Sequence, residues 1–246
     1  MGPRIESPQK PWPFPIRTLF FIVFSFLAGW GRDLPRERVT GGLYSRPCSR
    51  GSSLWSMQAQ LLITGFGPFA GVEHNPSGEL ARLLGQRPDC HGCELPVTFR
   101  GAAEGLDREL EALGQPALGI LSLGVHRGPG FRLEHRAGGA IVGEREDNEG
   151  VTVSSLGLAG PDRETSLDLD ALEDALRAAG AMKVRQSRDA GAYVCERTYS
   201  HGLQRGAELG IQALFLHVPP GEEQSVGDQL PLVSALVDGL LRQVRS

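Results

Sequence analysis

Beyond residue 57 the chain alternates short, continuously apolar runs with segments of helical periodicity, and this alternation narrows the fold more than any other feature. Gln60 to Thr64 (QLLIT) is apolar at nearly every position and stops at Gly65, as a strand buried on both faces does. Asn75-Pro76 then opens a helix, with Asn as cap and Pro in the first turn; Gly85 stops it after Leu84. Glu94 to Phe99 has the character of a strand, Ala102 to Leu113 of a helix, and Leu118 to Leu123 of a second buried strand. Phe131 to Arg136 continues the series as a strand. Residues 138 to 166 are rich in Gly, Ser and Asp and carry no long periodic segment, which marks a functional or flexible loop. Leu167 to Ala179 forms an amphipathic helix, Lys183 to Ser187 a strand, Tyr193 to Leu203 a helix, Gln212 to Val218 a strand and Asp228 to Val244 a closing helix. The expected class is α/β, with a largely parallel sheet covered on both faces.

The first 56 residues do not share this pattern. They hold eight Lys/Arg against three acidic residues and all three tryptophans, whereas the remainder holds 17 basic against 26 acidic residues. Stretches of such different chemistry do not share one core, so residues 1–56 are expected to be a non-core extension and residues 57–246 the functional domain. Thr18 to Trp30 is apolar for 13 residues, the length of a signal-peptide core but too short to span a bilayer. Its end, Ala28-Gly29-Trp30, is a poor cleavage site, and Met57 lies just before the first strand, so a dispensable or misassigned start is the preferred reading. The net charge of −4 argues against nucleic acid as the main partner, and no stable membrane association is expected.

Of the four cysteines, Cys90 and Cys93 form a lone C-x-x-C without the further ligands a zinc site needs. The pair precedes an apolar run rather than following a strand, so a surface turn is expected there. The chain lacks a secreted disulfide framework, and the domain is read as cytoplasmic.

Cys195 opens the helix CERTYSHGL, where free N–H groups and the helix dipole favour a thiolate and can receive an oxyanion; the alternative is a small buried apolar residue. His217 ends an apolar strand, facing the crevice where α/β sheets place reactive groups; the alternative is a satisfied core histidine. His201 lies nearly two turns along the helix from Cys195, too far to serve as its base. Glu134 is a carboxylate inside an apolar run, which is costly unless it is paired, either with an imidazole or in a salt bridge. Thr64 to Gly71 (TGFGPFAG) matches neither common phosphate-loop pattern. Phe66 and Phe69 there suit an apolar slot for a flat ring, or else fold into the core.

Four segments in order resemble the pyroglutamyl-peptidase I (pyrrolidone carboxyl peptidase) family: LITGFGPFAGVEHNPS from Leu61, the Glu134 to Gly150 spacing, DAGAYVCERTY from Asp189, and FLHVPP from Phe215. The resemblance covers roughly Leu61 to Val244. It implies a three-layer α/β/α sandwich with a mixed, mostly parallel sheet, and a cysteine peptidase that removes N-terminal pyroglutamate from peptides through a thioester. It implies Cys195 as nucleophile, His217 as base and Glu134 as third member, with Phe66, Phe69, Tyr193 and Val194 around the lactam ring. It implies no metal or cofactor, and a homo-oligomer, since bacterial relatives tend to be tetramers. The chain departs from the family at Glu196 in place of Asn, and at His135 and Gly139 in place of Arg and Asn. Val125-His126-Arg127-Gly128 replaces Gln-Ala-Gly-Gly, and the family arginine associated with the oxyanion aligns with Glu144, beside Arg145. Two other readings stay open: a non-catalytic binding protein on the same fold, and a cysteine hydrolase of another small cyclic amide.

Overall fold

The computed structural model describes residues 59–69, 72–139, 143–156 and 160–245. The expectations for residues 1–56 lie outside these residues. The main sheet has six strands in the order β2-β1-β3-β8-β4-β7: β1 Leu61–Phe66, β2 Cys90–Leu95, β3 Gly119–Val125, β4 Phe131–Glu134, β7 Val184–Ser187 and β8 Gln212–Val218. Every neighbouring pair is parallel except β4 with β8. A second, two-stranded sheet pairs β5 Arg136–Ala137 with β6 Arg163–Glu164. The helices are α1 Pro76–Leu84, α2 Phe99–Ala112, α3 Leu169–Ala178, α4 Val194–Leu209 and α5 Val226–Val244. This is the mixed, mostly parallel α/β/α sandwich that the family resemblance implies, and the sheet is covered on both faces as the sequence pattern implies.

The two helix layers follow from the period of two along each strand. On β8, Leu214, Leu216 and Val218 pack with α1, α3 and α5, while Ala213 and Phe215 pack with α2 and α4. On β4, Phe131 and Leu133 belong to the first layer, which turns Arg132 and Glu134 toward the second. The caps are local. Asn75 accepts from the Ser77 N–H ahead of Pro76, and Thr98 accepts from the Gly101 N–H to start α2 at Phe99, three residues before the expected Ala102.

Two neighbouring expectations are corrected. Cys90 to Cys93 is not a surface turn but the first four of the six residues of the edge strand β2, and the expected strand at Glu94 to Phe99 ends at Leu95. Gly92 is there because α1 crosses it closely: a Cβ at this position would come within 1.9 Å of the Ala81 carbonyl oxygen. On a strand, Cys90 and Cys93 point to opposite faces, which rules out their acting together.

Candidate active site

The period of two puts His217 on the α2/α4 side of β8, and β4 brings its partner. Arg132 stands opposite His217, and Glu134 stands opposite Phe215. Glu134 is therefore the diagonal neighbour of His217 on the same face, and its Oε1 accepts from the ring Nδ1 at 2.7 Å. With Nδ1 carrying the proton, Nε2 keeps the lone pair a base needs. The same Oε1 accepts from Arg132 Nε at 3.0 Å and Nη2 at 2.8 Å. Arg132 Nη2 also donates to the Asp189 carbonyl at 2.9 Å, which ties the pair to the segment leading into α4. Tyr199 on α4 closes the arrangement by donating to the Glu134 carbonyl at 2.8 Å. Glu134 is fully buried, and its Oε2 has no hydrogen-bond partner among the described residues.

Cys195 is the second residue of α4. Tyr193 caps the helix without a side-chain hydrogen bond, so no cap side chain takes up the first-turn N–H groups. The thiol rests over Gly124 on β3: a Cβ there would stand 3.0 Å from Sγ. Gly124 is the direct cross-strand partner of His217. Glycine at this position leaves room for the sulfur next to the imidazole. The structure thus gathers Cys195, His217 and Glu134 on one face, at the carboxyl ends of β3 and β8.

The electrostatics correct one expectation. The helix amino terminus was expected to lower the Cys195 thiol; instead burial, reinforced by the charge of Glu134, pushes it up to about 12. Its own backbone N–H and the Arg145 cation act in the opposite direction but do not win. Burial also lowers His217, against the opposing hydrogen bond and charge of Glu134. Burial therefore disfavours both the thiolate and the imidazolium. Neither ion is favoured until something else stabilises the charge.

The other histidines are engaged elsewhere. His201 pairs with Asp107 at 3.1 Å. His126 packs edge-on against His217 at 5.8 Å, and both of its ring nitrogens bond to backbone, from the Gly128 N–H and to the Gly130 carbonyl.

The expected ring-slot residues fall in a single apolar cluster with Phe215. Phe66 and Val194 are buried in it; Phe69 and Tyr193 are partly open. Tyr193 stands edge-on to Phe99 at 5.6 Å and donates its hydroxyl to the Glu146 carbonyl at 2.9 Å. The described part of the loop expected between 138 and 166 packs around this cluster. Asp147 accepts from the N–H groups of Phe99, Glu149 and Val151, and Asn148 Nδ2 donates to the Pro68 carbonyl at 3.0 Å. This loop carries Arg145 over the Tyr193 ring at 4.2 Å and near the Phe69 ring at 5.7 Å. Glu144, which aligns with the family arginine, is exposed instead.

Arg132, Arg145 and Glu196 were absent from the residues expected to form the site. Arg132 had a usable signal, because residues two apart on a strand share a face. Among the described residues no group of three or more His, Cys, Asp or Glu side chains could hold a metal ion.

A thiol at a helix start, beside a buried imidazole–carboxylate pair on a mostly parallel sheet, is the equipment of a cysteine hydrolase. Known proteins narrow that class. The pyroglutamyl peptidase family matches residues 59–245, and the chain belongs to this family. It is 37% identical over 183 residues to the pyrrolidone-carboxylate peptidase of Thermococcus onnurineus, covering 70% of this chain and 89% of that one. It is 32% identical over 196 residues to the enzyme of the same name from Pseudomonas fluorescens, covering 73% and 88%. Among solved structures, a mutant pyrrolidone carboxyl peptidase from Pyrococcus furiosus superposes with a TM-score of 0.67 at 25% identity, covering 75% of this chain and 99% of that one.

Proposed function

We propose that the chain is a cysteine peptidase that removes N-terminal pyroglutamate from peptides. The observation that carries this reading is the 2.7 Å Glu134–His217 pair on the face where the Cys195 thiol lies over Gly124. In this reading Phe66, Phe69, Tyr193 and Val194 hold the flat, uncharged lactam ring. His217 Nε2 takes the thiol proton as sulfur attacks the pyroglutamyl carbonyl carbon, then gives it to the leaving amine. Because burial disfavours both ions, proton transfer and attack are coupled. The charge appears only as the oxyanion forms, where the free N–H groups of the α4 start and the Arg145 guanidinium can meet it. Glu134, steadied by Arg132, fixes the ring tautomer and balances the imidazolium. Water then hydrolyses the thioester.

The test is a panel of fluorogenic amides. A pyroglutamyl amide should be cleaved, and prolyl and glutamyl amides should not. Cleavage of another cyclic amide in preference would shift the substrate, and a folded, inert chain would favour a binding role.

The functional domain is residues 57–246, supported by the family match over residues 59–245; a chain starting at Met57 should be as active as the full one. The domain works in the cytoplasm, supported by free cysteines at 90, 93 and 195. Among the described residues no helix is long and apolar enough to cross a membrane. The protein is a homo-oligomer, which light scattering would test against a monomer mass.

A further inference from the structure

Glu196 directly follows the nucleophile and is 95% buried, yet no step above uses it. Its Oε1 accepts a short hydrogen bond from the Gly138 N–H, just after β5 and at the root of the loop that carries Arg145. Its Oε2 is buried with no hydrogen-bond partner among the described residues. We propose that Glu196 is a positioning residue for the nucleophile: it fastens the first turn of α4 to the loop root at Gly138, and it sets a second carboxyl beside Glu134 whose ionisation opposes that of the Cys195 thiol.

The tether follows from the contact itself. An N–H anchored by a carboxyl oxygen fixes where the backbone leaves β5, against the first turn of α4. The opposition follows from Coulomb attraction and repulsion in a buried site. The groups that act on Glu196 are Glu134 on β4, Arg136 on β5 and Asp189 ahead of α4, while Cys195 and Tyr199 on α4 feel its charge in turn. The Gly138 N–H and Arg136 favour its charged form, whereas Asp189 and Glu134 oppose it. Together with burial, the dominant cause, they raise the Glu196 carboxyl to about 7. As pH rises through that region Glu196 acquires its charge, and the neighbouring thiol becomes harder to ionise.

The proposal is independent of which amide the enzyme cleaves, so its test reads the thiol directly. Iodoacetamide alkylation of Cys195 is followed by peptide mapping from pH 5.5 to 9 in the full-length wild type, Glu196→Gln and Glu196→Leu, with Cys90 and Cys93 as internal controls. Glu196→Gln keeps an acceptor for Gly138 and removes the charge. Its Cys195 rate should exceed wild type by about 3- to 10-fold at pH 8.5, with the gap closing toward pH 5.5. The wild-type profile should bend near pH 7, and the bend should vanish in the variant. Glu196→Leu also removes the tether, and should lower kcat/KM on the pyroglutamyl amide at every pH while Glu196→Gln does not. Superimposable alkylation profiles for wild type and Glu196→Gln would overturn the proposal, as would a wild-type profile with no bend should the variants not fold. A silent amide assay with the alkylation difference intact would instead sink the substrate reading and leave this one standing.

Discussion

The two faces of the sheet are built from the same strands and do opposite jobs. Toward α1, α3 and α5, β8 presents Leu214, Leu216 and Val218 in a wholly apolar layer. Toward α2 and α4, one residue out of step, it presents Ala213, Phe215 and then His217, and β4 adds Arg132 and Glu134. The first face tolerates no charge and gives rigidity. The second gathers a thiol, an imidazole, two carboxyls and a guanidinium within one apolar surround. Each polar group there has an identified partner: Arg132 for Glu134 within β4, the Gly138 N–H beyond β5 for Glu196 on α4, and Glu134 for His217 across the β4–β8 pair. Catalytic polarity survives beside a core because the alternation of the strands keeps the two apart.

The contrast is broken most severely at Cys195, the proposed nucleophile. Cys195→Ser should reduce kcat on the pyroglutamyl amide by on the order of 10³-fold or more with an unchanged melting temperature, because a hydroxyl lacks the intrinsic nucleophilicity of sulfur. Retention of more than a few per cent of activity would move the nucleophile elsewhere. Next is Glu134→Ala, which strips both His217 and Arg132 of their shared acceptor. It should lower kcat by about 10²- to 10⁴-fold and destabilise the fold by about 1–3 kcal/mol, since the partly exposed Arg132 guanidinium keeps only the Asp189 carbonyl. Normal turnover in this variant would show that the imidazole needs no orientation. On the other face, Leu216→Ala should cost about 2–5 kcal/mol of stability while each folded molecule keeps its kcat/KM. A kinetic defect of the size seen at Glu134 would mean the two faces are not separable.

Phe69→Ala should give a smaller effect of about 1–3 kcal/mol in kcat/KM, with little change in melting temperature, because its ring is partly open. Phe66→Ala, buried, should lose stability as well. If both variants lose stability only and keep wild-type kcat/KM, the ring slot lies elsewhere. The smallest effect is in pH. Burial holds His217 below its ordinary 6.5, so the ring remains a base as the medium becomes mildly acidic. The acid limb of kcat/KM should have its midpoint below 6.5; a midpoint above it would mean the charge of Glu134 outweighs burial.

How much of this the sequence disclosed depends on whether the signal was local. The Asn75-Pro76 start and the apolar run ending at His217 were plain, because capping and the period of two are written in adjacent residues. β2 was hidden because Cys-His-Gly-Cys lacks the β-branched residues that announce a strand; its glycine answers to the approach of α1, which is a tertiary fact. The Glu134–His217 contact depended on β4 running antiparallel to β8, which no spacing between residues 134 and 217 encodes. The direction of the Cys195 shift was misjudged for the same reason: a helix terminus is visible in a sequence, whereas desolvation is a property of packing. Arg145 reaches Tyr193 through a loop held by Asp147 and Asn148, so its place could not be read from alignment to the family arginine alone.

The central claim joins a ring slot to a thiol, and a pyroglutamyl chloromethyl ketone tests both at once. After incubation with a slight excess of the reagent, peptide mapping of the full chain should find one pyroglutamyl group on the Cys195 peptide and none on the peptides of Cys90 and Cys93. Free pyroglutamate should slow the labelling, and activity should disappear in proportion to it. Labelling spread evenly over the four cysteines, or complete labelling elsewhere with Cys195 untouched, would contradict the account.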